Sequence, residues 1–252
     1  MILQAHRGDS KRFPENTMSA FEAAYNEGYG IIELDMKFTK DDKCVILHDF
    51  TLARTARNLD GTPIEPNINI ADIDYNELSN FDFGVFMSDK FKGERIPTLE
   101  DILNFASKKK IKLKFDNVLQ RFNERQIDSF FDAIESHYED GLFGFTSNDL
   151  SFIEKIVARF PACDIHYDGA VNEASLNQLK VIAPNNPLYI WLPLNKISWL
   201  EFPAADKEQV TLAKKYGLVG LWIITDPSDL ERCIELGADI IETDGAVTME
   251  ML

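Results

Sequence analysis

The sequence predicts a (β/α)8 barrel, a TIM barrel, with one insertion after its second strand. Short apolar runs of strand length alternate with segments of helical periodicity, and there are eight such runs in 252 residues. Turn and cap residues separate the units. The side chains able to do chemistry collect at the C-terminal ends of the runs. Apolar strands joined by helices pair in parallel, and eight such units in roughly 250 residues are what a closed barrel requires. A doubly wound open sheet is the alternative architecture.

Taken in order, Ile2 to Ala5 reads as a short buried strand running into His6-Arg7-Gly8. A helix from about Thr17 carries Met18, Phe21 and Tyr25 on one face, with Asn16 or Thr17 as its cap and Gly28 as its stop. Ile31 to Met36 is the second strand, and Cys44 to Leu47 is a short extra run. Residues 49–96 are turn-rich and polar apart from Phe81, Phe83, Phe86 and Phe91. An irregular segment of that length inside a compact domain is uncommon and suits a functional lid. The whole chain, 1–252, is therefore expected to be one catalytic domain with this insertion over the active-site rim. Its phenylalanines are expected to make a small core of their own.

Thr98 caps a helix bearing Leu99, Ile102, Leu103 and Ala106, which ends in Lys108-Lys109-Lys110. The remaining units are strand Ile111–Asp116 with helix Phe122–Tyr138, strand Leu142–Thr146 with helix Asp149–Arg159, and strand Asp164–Asp168 with helix Glu173–Ile182. Strand Leu188–Pro193 follows with helix Asp206–Tyr216, then strand Leu218–Thr225 with a helix opened by Asp226-Pro227 and closed by Gly237. Strand Asp239–Thr243 completes the set.

Lys and Arg number 26 against 42 Asp and Glu, a formal charge of -16. Such a surface repels nucleic acid and anionic membranes, so neither is expected as a partner. Cys44, Cys163 and Cys233 form no CxxC pair and fit small buried hydrophobes in a reducing, cytoplasmic compartment. No run of 18 apolar residues and no signal peptide is present, although a cleaved export signal would leave the same start.

Glu33 and Asp35 lie two apart between Ile32, Leu34 and Met36, so in a strand both carboxylates point one way. Like charges side by side in an apolar strand are costly unless a cation or proton offsets them, and a hard divalent ion is the simplest remedy. Two surface acids on an edge strand would satisfy the same pattern. His48 ends an apolar run and can exchange a proton near neutral pH. In a barrel, His6, Arg7, Glu33, Asp35, His48, Asp116, Trp222 and Asp244 would converge on one rim.

The ordered set His6-Arg7-Gly8, Pro14-Glu15-Asn16-Thr17, Ala20-Phe21, Glu33-Leu34-Asp35, Thr39-Lys40-Asp41 and His48-Asp49 resembles the glycerophosphodiester phosphodiesterases, a family of TIM-barrel phosphodiesterases. Ile96-Pro97-Thr98-Leu99 and Leu221-Trp222 extend the likeness. The resemblance implies metal-dependent hydrolysis of a small-molecule glycerophosphodiester to an alcohol and sn-glycerol 3-phosphate. It assigns Glu33 and Asp35 to a divalent cation, Mg2+ or Ca2+, His6 and His48 to acid/base catalysis, and Arg7 to the phosphate. It leaves open which histidine is acid and which is base. A different phosphodiester, or a weakened barrel that only binds its ligand, is the alternative.

One stretch departs from the pattern. Where the family has a glutamate followed two residues later by a lysine, this chain has Asp116 and Val118. Asp116 is expected to remain a third ligand with shorter reach, or else to be a plain loop residue. Trp222 either stacks on substrate or fills the barrel top. His166 reads as a satisfied core histidine and His137 as a solvated helix end. Glu15 and Asn16 read as cap residues of the first helix.

Overall fold

The strands are β1 (Ile2–His6), β2 (Ile31–Leu34), β3 (Lys112–Phe115), β4 (Phe143–Ser147), β5 (Asp164–Tyr167), β6 (Leu188–Pro193), β7 (Leu218–Ile224) and β8 (Ile240–Thr243). All pair in parallel with their sequence neighbours, and β8 pairs with β1 to close the barrel. The computed structural model describes residues 1–116, 118–137, 142–197 and 203–252. The closed parallel barrel, and not the open sheet, is the architecture. Two observations explain the closure: Ile2 to Ala5 matches register with Ile240 to Thr243, and every connection is long enough to return the chain to the same end.

The helices are α1 (Met18–Asn26), α2 (Leu99–Lys109), α3 (Glu124–Glu135), α4 (Leu150–Arg159), α5 (Glu173–Ile182), α6 (Lys207–Ala213) and α7 (Leu230–Leu236). Thr17, Thr98, Asn123, Asp149, Asn172 and Asp206 cap the first six through side-chain oxygens that accept from backbone amides. Each such cap contributes about 1 kcal/mol. Asp226-Pro227 opens a 3-10 turn (Pro227–Asp229) before α7, and Gly237 ends α7 at φ +87°, a conformation glycine takes without strain. The helix expected to reach Tyr138 is described only to Glu135, with Ser136 as its cap; Tyr138 and Glu139 lie outside the described residues.

Between barrel and helices lies the main core, which is rich in phenylalanine. Phe115, Phe130, Phe131, Phe145 and Phe160 are buried and meet in edge-to-face, tilted and stacked pairs, such as Phe115–Phe130 at 5.1 Å, Phe131–Phe160 at 5.3 Å and the stacked Phe145–Phe160 at 5.2 Å. Each such pair adds about 0.5–1.5 kcal/mol beyond the area it buries.

The inside of the barrel combines an apolar cluster of Ile31, Tyr189, Trp191 and Ile240 with a buried polar network. Lys114 of β3 reaches across to Glu242 of β8 at 2.7 Å, Gln4 of β1 donates to the same carboxylate, and the Lys114 ammonium sits 4.1 Å above the Trp191 ring. Trp191 Nε1 donates to His166 Nδ1 at 2.9 Å. β3 is adjacent to neither β8 nor β6, so the Lys114 contacts run through the interior, while the Gln4–Glu242 and His166–Trp191 contacts join neighbouring strands. The large side chains require space beside them. A Cβ on Gly144 would stand 2.4 Å from His166, and one on Gly220 would stand 2.3 Å from Trp191. His166 is the satisfied core histidine expected from sequence, and burial pushes its pKa well below the usual imidazole value.

After β2 the chain continues through Asp35 into an antiparallel ribbon, Met36–Phe38 against Cys44–Ile46. Segment 49–96 contains the paired stretches Arg57–Asn58 and Phe81–Asp82 and three 3-10 turns. It forms a separate apolar cluster of Leu52, Ile64, Ile70, Leu78, Phe81 and Phe83 around Val45 and Leu47. Phe91 instead packs on Phe13. The three cysteines are buried and free. Among the described residues no helix is long and apolar enough to cross a membrane.

Candidate active site

Glu33 is the last inward residue of β2, Asp35 follows the strand end, and Asp116 follows β3 directly beside it. Their alternation carries Ile32, Leu34 and Met36 into the core on the opposite side. Oxygens of Glu33, Asp35 and Asp116 all lie within 4.8 Å of one another. Glu33 and Asp35 are each 2% exposed. Burial first, then the charges of Asp35, Asp116 and Glu242, lifts the Glu33 carboxyl well above the ordinary carboxylate range. Three oxygen donors, two buried and one half-buried, with one of them destabilised in its charged form, form a cluster that could hold a hard cation.

The carboxylates are held in place. Arg7 N donates to Glu33 Oε2 at 2.9 Å, and Asn16 Nδ2 donates to Asp35 Oδ2 at 2.8 Å. Arg7 and Asn16 both adopt left-handed backbone conformations, φ +59° and +57°. That turn after β1 aims the Arg7 amide and the Asn16 side chain at the acids. The Arg7 guanidinium contacts Asp35 at 3.2 Å and Glu15 at 2.9 Å. Glu15 also takes both ends of Arg54 from the insertion. The sequence reading of Glu15 and Asn16 as helix caps is corrected: Thr17 caps α1, while Asn16 orients Asp35 and Glu15 joins two arginines.

The carboxylates open into a cavity of about 570 Å³ at the C-terminal ends of the strands. His6, Arg7, Glu33, Asp35, His48, Asp116 and Trp222 all line it. Asp244 does not line it; its carboxylate accepts the Ala246 amide in the loop after β8. His6 is pushed down to about 3 by burial, with Arg7 beside it acting in the same direction, so its imidazole is neutral near pH 7. His48 has Nδ1 within 2.6 Å of Asp49. Burial opposes the Asp49 charge, but hydrogen bonds from Arg54 and His48 carry its carboxyl down to about 2. Trp222 Nε1 is buried with no partner among the described residues. Trp222 also lines a second cavity of about 210 Å³, bounded by Val171 and Pro193, and Asp168 and Trp191 likewise line both.

Several cavity residues escaped the sequence reading. Phe50 is the residue after Asp49, and together they are the part of the insertion that lines the cavity. Lys114 and Glu242 are 128 positions apart and could not be paired from sequence. Burial works against the Lys114 charge, yet Glu242, Glu33 and Asp116 together hold its pKa above the ordinary lysine value. Lys37 had a legible signal: it continues the two-residue spacing of Glu33 and Asp35. Val118 lines the wall as an apolar residue. His137 bonds Ala133 O and lies at the α3 end, remote from the cavity.

Fold and site together define a TIM-barrel enzyme with an acidic, metal-competent centre flanked by two histidines. The chain belongs to the glycerophosphoryl diester phosphodiesterase family, whose family model matches residues 6–246, and so to the phosphoric diester hydrolases. It is 30% identical to a glycerophosphodiester phosphodiesterase of Caldanaerobacter subterraneus subsp. tengcongensis over 98% of this chain and 96% of that protein. It is 30% identical to Bacillus subtilis YqiK over 95% of this chain and 93% of that one. Among solved structures, an Oleispira antarctica phosphodiesterase in complex with the product sn-glycerol-3-phosphate shares the fold at TM-score 0.76 and 23% identity, covering 98% of this chain and 94% of that one.

Proposed function

We propose that this protein hydrolyses glycerophosphodiesters to an alcohol and sn-glycerol 3-phosphate, with a divalent cation held by Glu33, Asp35 and Asp116. The observation that carries the reading is the meeting of three carboxylates, within 4.8 Å of one another, with His6, Arg7 and His48 in one cavity. When bound, the cation supplies charge neutralisation for the phosphodiester as density builds on its oxygens. Arg7, anchored by Glu15 and Asp35, turns its remaining guanidinium edge to the phosphate.

Two proton transfers remain, and each histidine takes one. His6 enters neutral, the form that accepts a proton from the attacking oxygen. His48 has its Nδ1 fixed by Asp49, which leaves Nε2 to return a proton to the leaving alkoxide. Segment 49–96 walls the cavity through Asp49 and Phe50 and locks to the rim through Arg54. Trp222 stacks on the substrate's apolar edge, with the smaller cavity behind it open to the departing alcohol. Val118 gives the large cavity an apolar side chain where the family pattern has a lysine, which favours the second reading, a diester other than the common head groups. The test is turnover of a panel of glycerophosphodiesters with Mg2+, with Ca2+ and with chelator, scored by release of sn-glycerol 3-phosphate. Chelator-insensitive turnover, or none on any diester, refutes the proposal.

A further inference from the structure

Four cationic side chains line the large cavity: Arg7, Lys37, Lys114 and Arg121. Arg121 is exposed at its edge. Arg7 is ion-paired with Glu15 and Asp35, and Lys114 with Glu242. Lys37 differs. It is 1% exposed, yet its ammonium donates only to the main-chain carbonyls of Met36 at 3.2 Å and Leu47 at 3.3 Å among the described residues. Its remaining direction meets the Phe50 ring, whose centroid is 4.9 Å away. Phe50 itself is 49% exposed.

A lysine this deep is almost never found without a counter-charge, because its desolvation is costly. The carboxylates around it are Asp35 and Asp116, which are assigned to the cation above, and Asp49, which is already paired with His48 and Arg54. The backbone explains the placement. Extended chain runs from β2 through Asp35 into the ribbon, so Glu33, Asp35 and Lys37 fall on one face, two residues apart. Lys37 Cα then lies about 7 Å beyond that of Asp35 along the strand direction. A long side chain from there reaches an anion resting on the acidic centre.

We propose that Lys37 is a substrate-binding residue of this chain, whose ammonium pairs with a non-bridging oxygen of the phosphodiester and of the product phosphate. The proposal rests on the phosphodiesterase reading of the same site. A phosphate oxygen is a stronger partner than the ring face of Phe50, since hydrogen bonds between charged groups are short and roughly twice as strong as neutral ones. Two carbonyl acceptors hold the ammonium before substrate arrives, so little side-chain freedom is lost on binding.

The test uses the full chain loaded with Mg2+ or Ca2+, titrated calorimetrically with sn-glycerol 3-phosphate and with inorganic phosphate, alongside steady-state kinetics. Lys37→Met should weaken phosphate binding about 10- to 100-fold, the scale of one lost hydrogen bond to a charged group. KM should rise by a similar factor, with kcat changing less, and Lys37→Arg should recover most of the affinity. Lys43→Met, one residue before the facing ribbon strand and paired with Glu100, should leave phosphate affinity unchanged. Wild-type affinity and KM in Lys37→Met, with or without a lower melting temperature, overturn the proposal and leave Lys37 as a ribbon pin. If that variant does not fold, Lys37→Gln, which keeps a donor for the carbonyls, gives the same reading. Absence of diester turnover by the wild type would refute the proposed function, while the calorimetry would still decide Lys37.

Discussion

Replacing Glu33 by glutamine should stabilise the metal-free protein at pH 8 and abolish its stabilisation by divalent cation. The two effects have opposite sign and one cause. Burial and three neighbouring carboxylates raise the Glu33 pKa above its unfolded value of 4.5. The folded state therefore binds that proton more tightly than the unfolded chain does. Stability falls as pH climbs from about 4.5 through the raised folded value, and the loss is complete above it. Glutamine carries no charge to desolvate, and its amide oxygen can still accept from Arg7 N. The metal-free variant should thus melt above wild type at pH 8, with the gap closing toward pH 5. Cation present at a hundred times its Kd stabilises the wild-type fold by about 2.7 kcal/mol. In a chain of this length each kcal/mol moves Tm by about 2–4 °C. A rise of about 5–10 °C is expected for wild type and little for Glu33→Gln. Thermal unfolding followed by circular dichroism, at both pH values with chelator and with metal, reads both arms. A variant that melts below wild type in chelator at pH 8 and keeps the full metal shift would refute the reasoning, because Glu33 would be neither strained nor a ligand.

His6→Ala and His48→Ala should each lower kcat by about two to four orders of magnitude, while keeping the metal-induced Tm shift; near wild-type turnover in either one removes it from the mechanism. The kcat/KM profile should have its His6 limb well below pH 6, since His6 titrates at about 3 in the fold. The same depressed value bears on stability: below 6.5 the unfolded chain takes up a proton that the fold resists, so wild type should lose stability as pH falls toward 3, and His6→Asn should show a shallower loss in urea titrations. Lys114→Met leaves Glu242 buried without its cation and should cost about 3–5 kcal/mol in equilibrium unfolding; a change under 1 kcal/mol would mean the pair is not what holds the barrel floor.

The barrel was legible in the chain because its signals are local. Strand runs of four to seven residues, helix caps at Thr98 and Asp149, and the Gly237 stop depend on a few neighbouring positions, and the structure keeps them nearly in place. The gathering of His6, Arg7, Glu33, Asp35, His48, Asp116 and Trp222 at one cavity was legible for a related reason: in a parallel barrel, the C-terminal ends of all strands share one rim. What only tertiary structure decided is how those groups are held and charged. Asn16 turned from helix cap to support of Asp35 because a left-handed turn points its side chain at the strand. Glu242 met Lys114 across the barrel, a contact 128 positions long that no spacing announces. The Glu33 and His6 shifts arise from burial, which comes into being only when distant strands close around them. Residue order sets which atoms can reach the rim, whereas desolvation and pairing between remote segments set their protonation, and those forces act only once the barrel is closed.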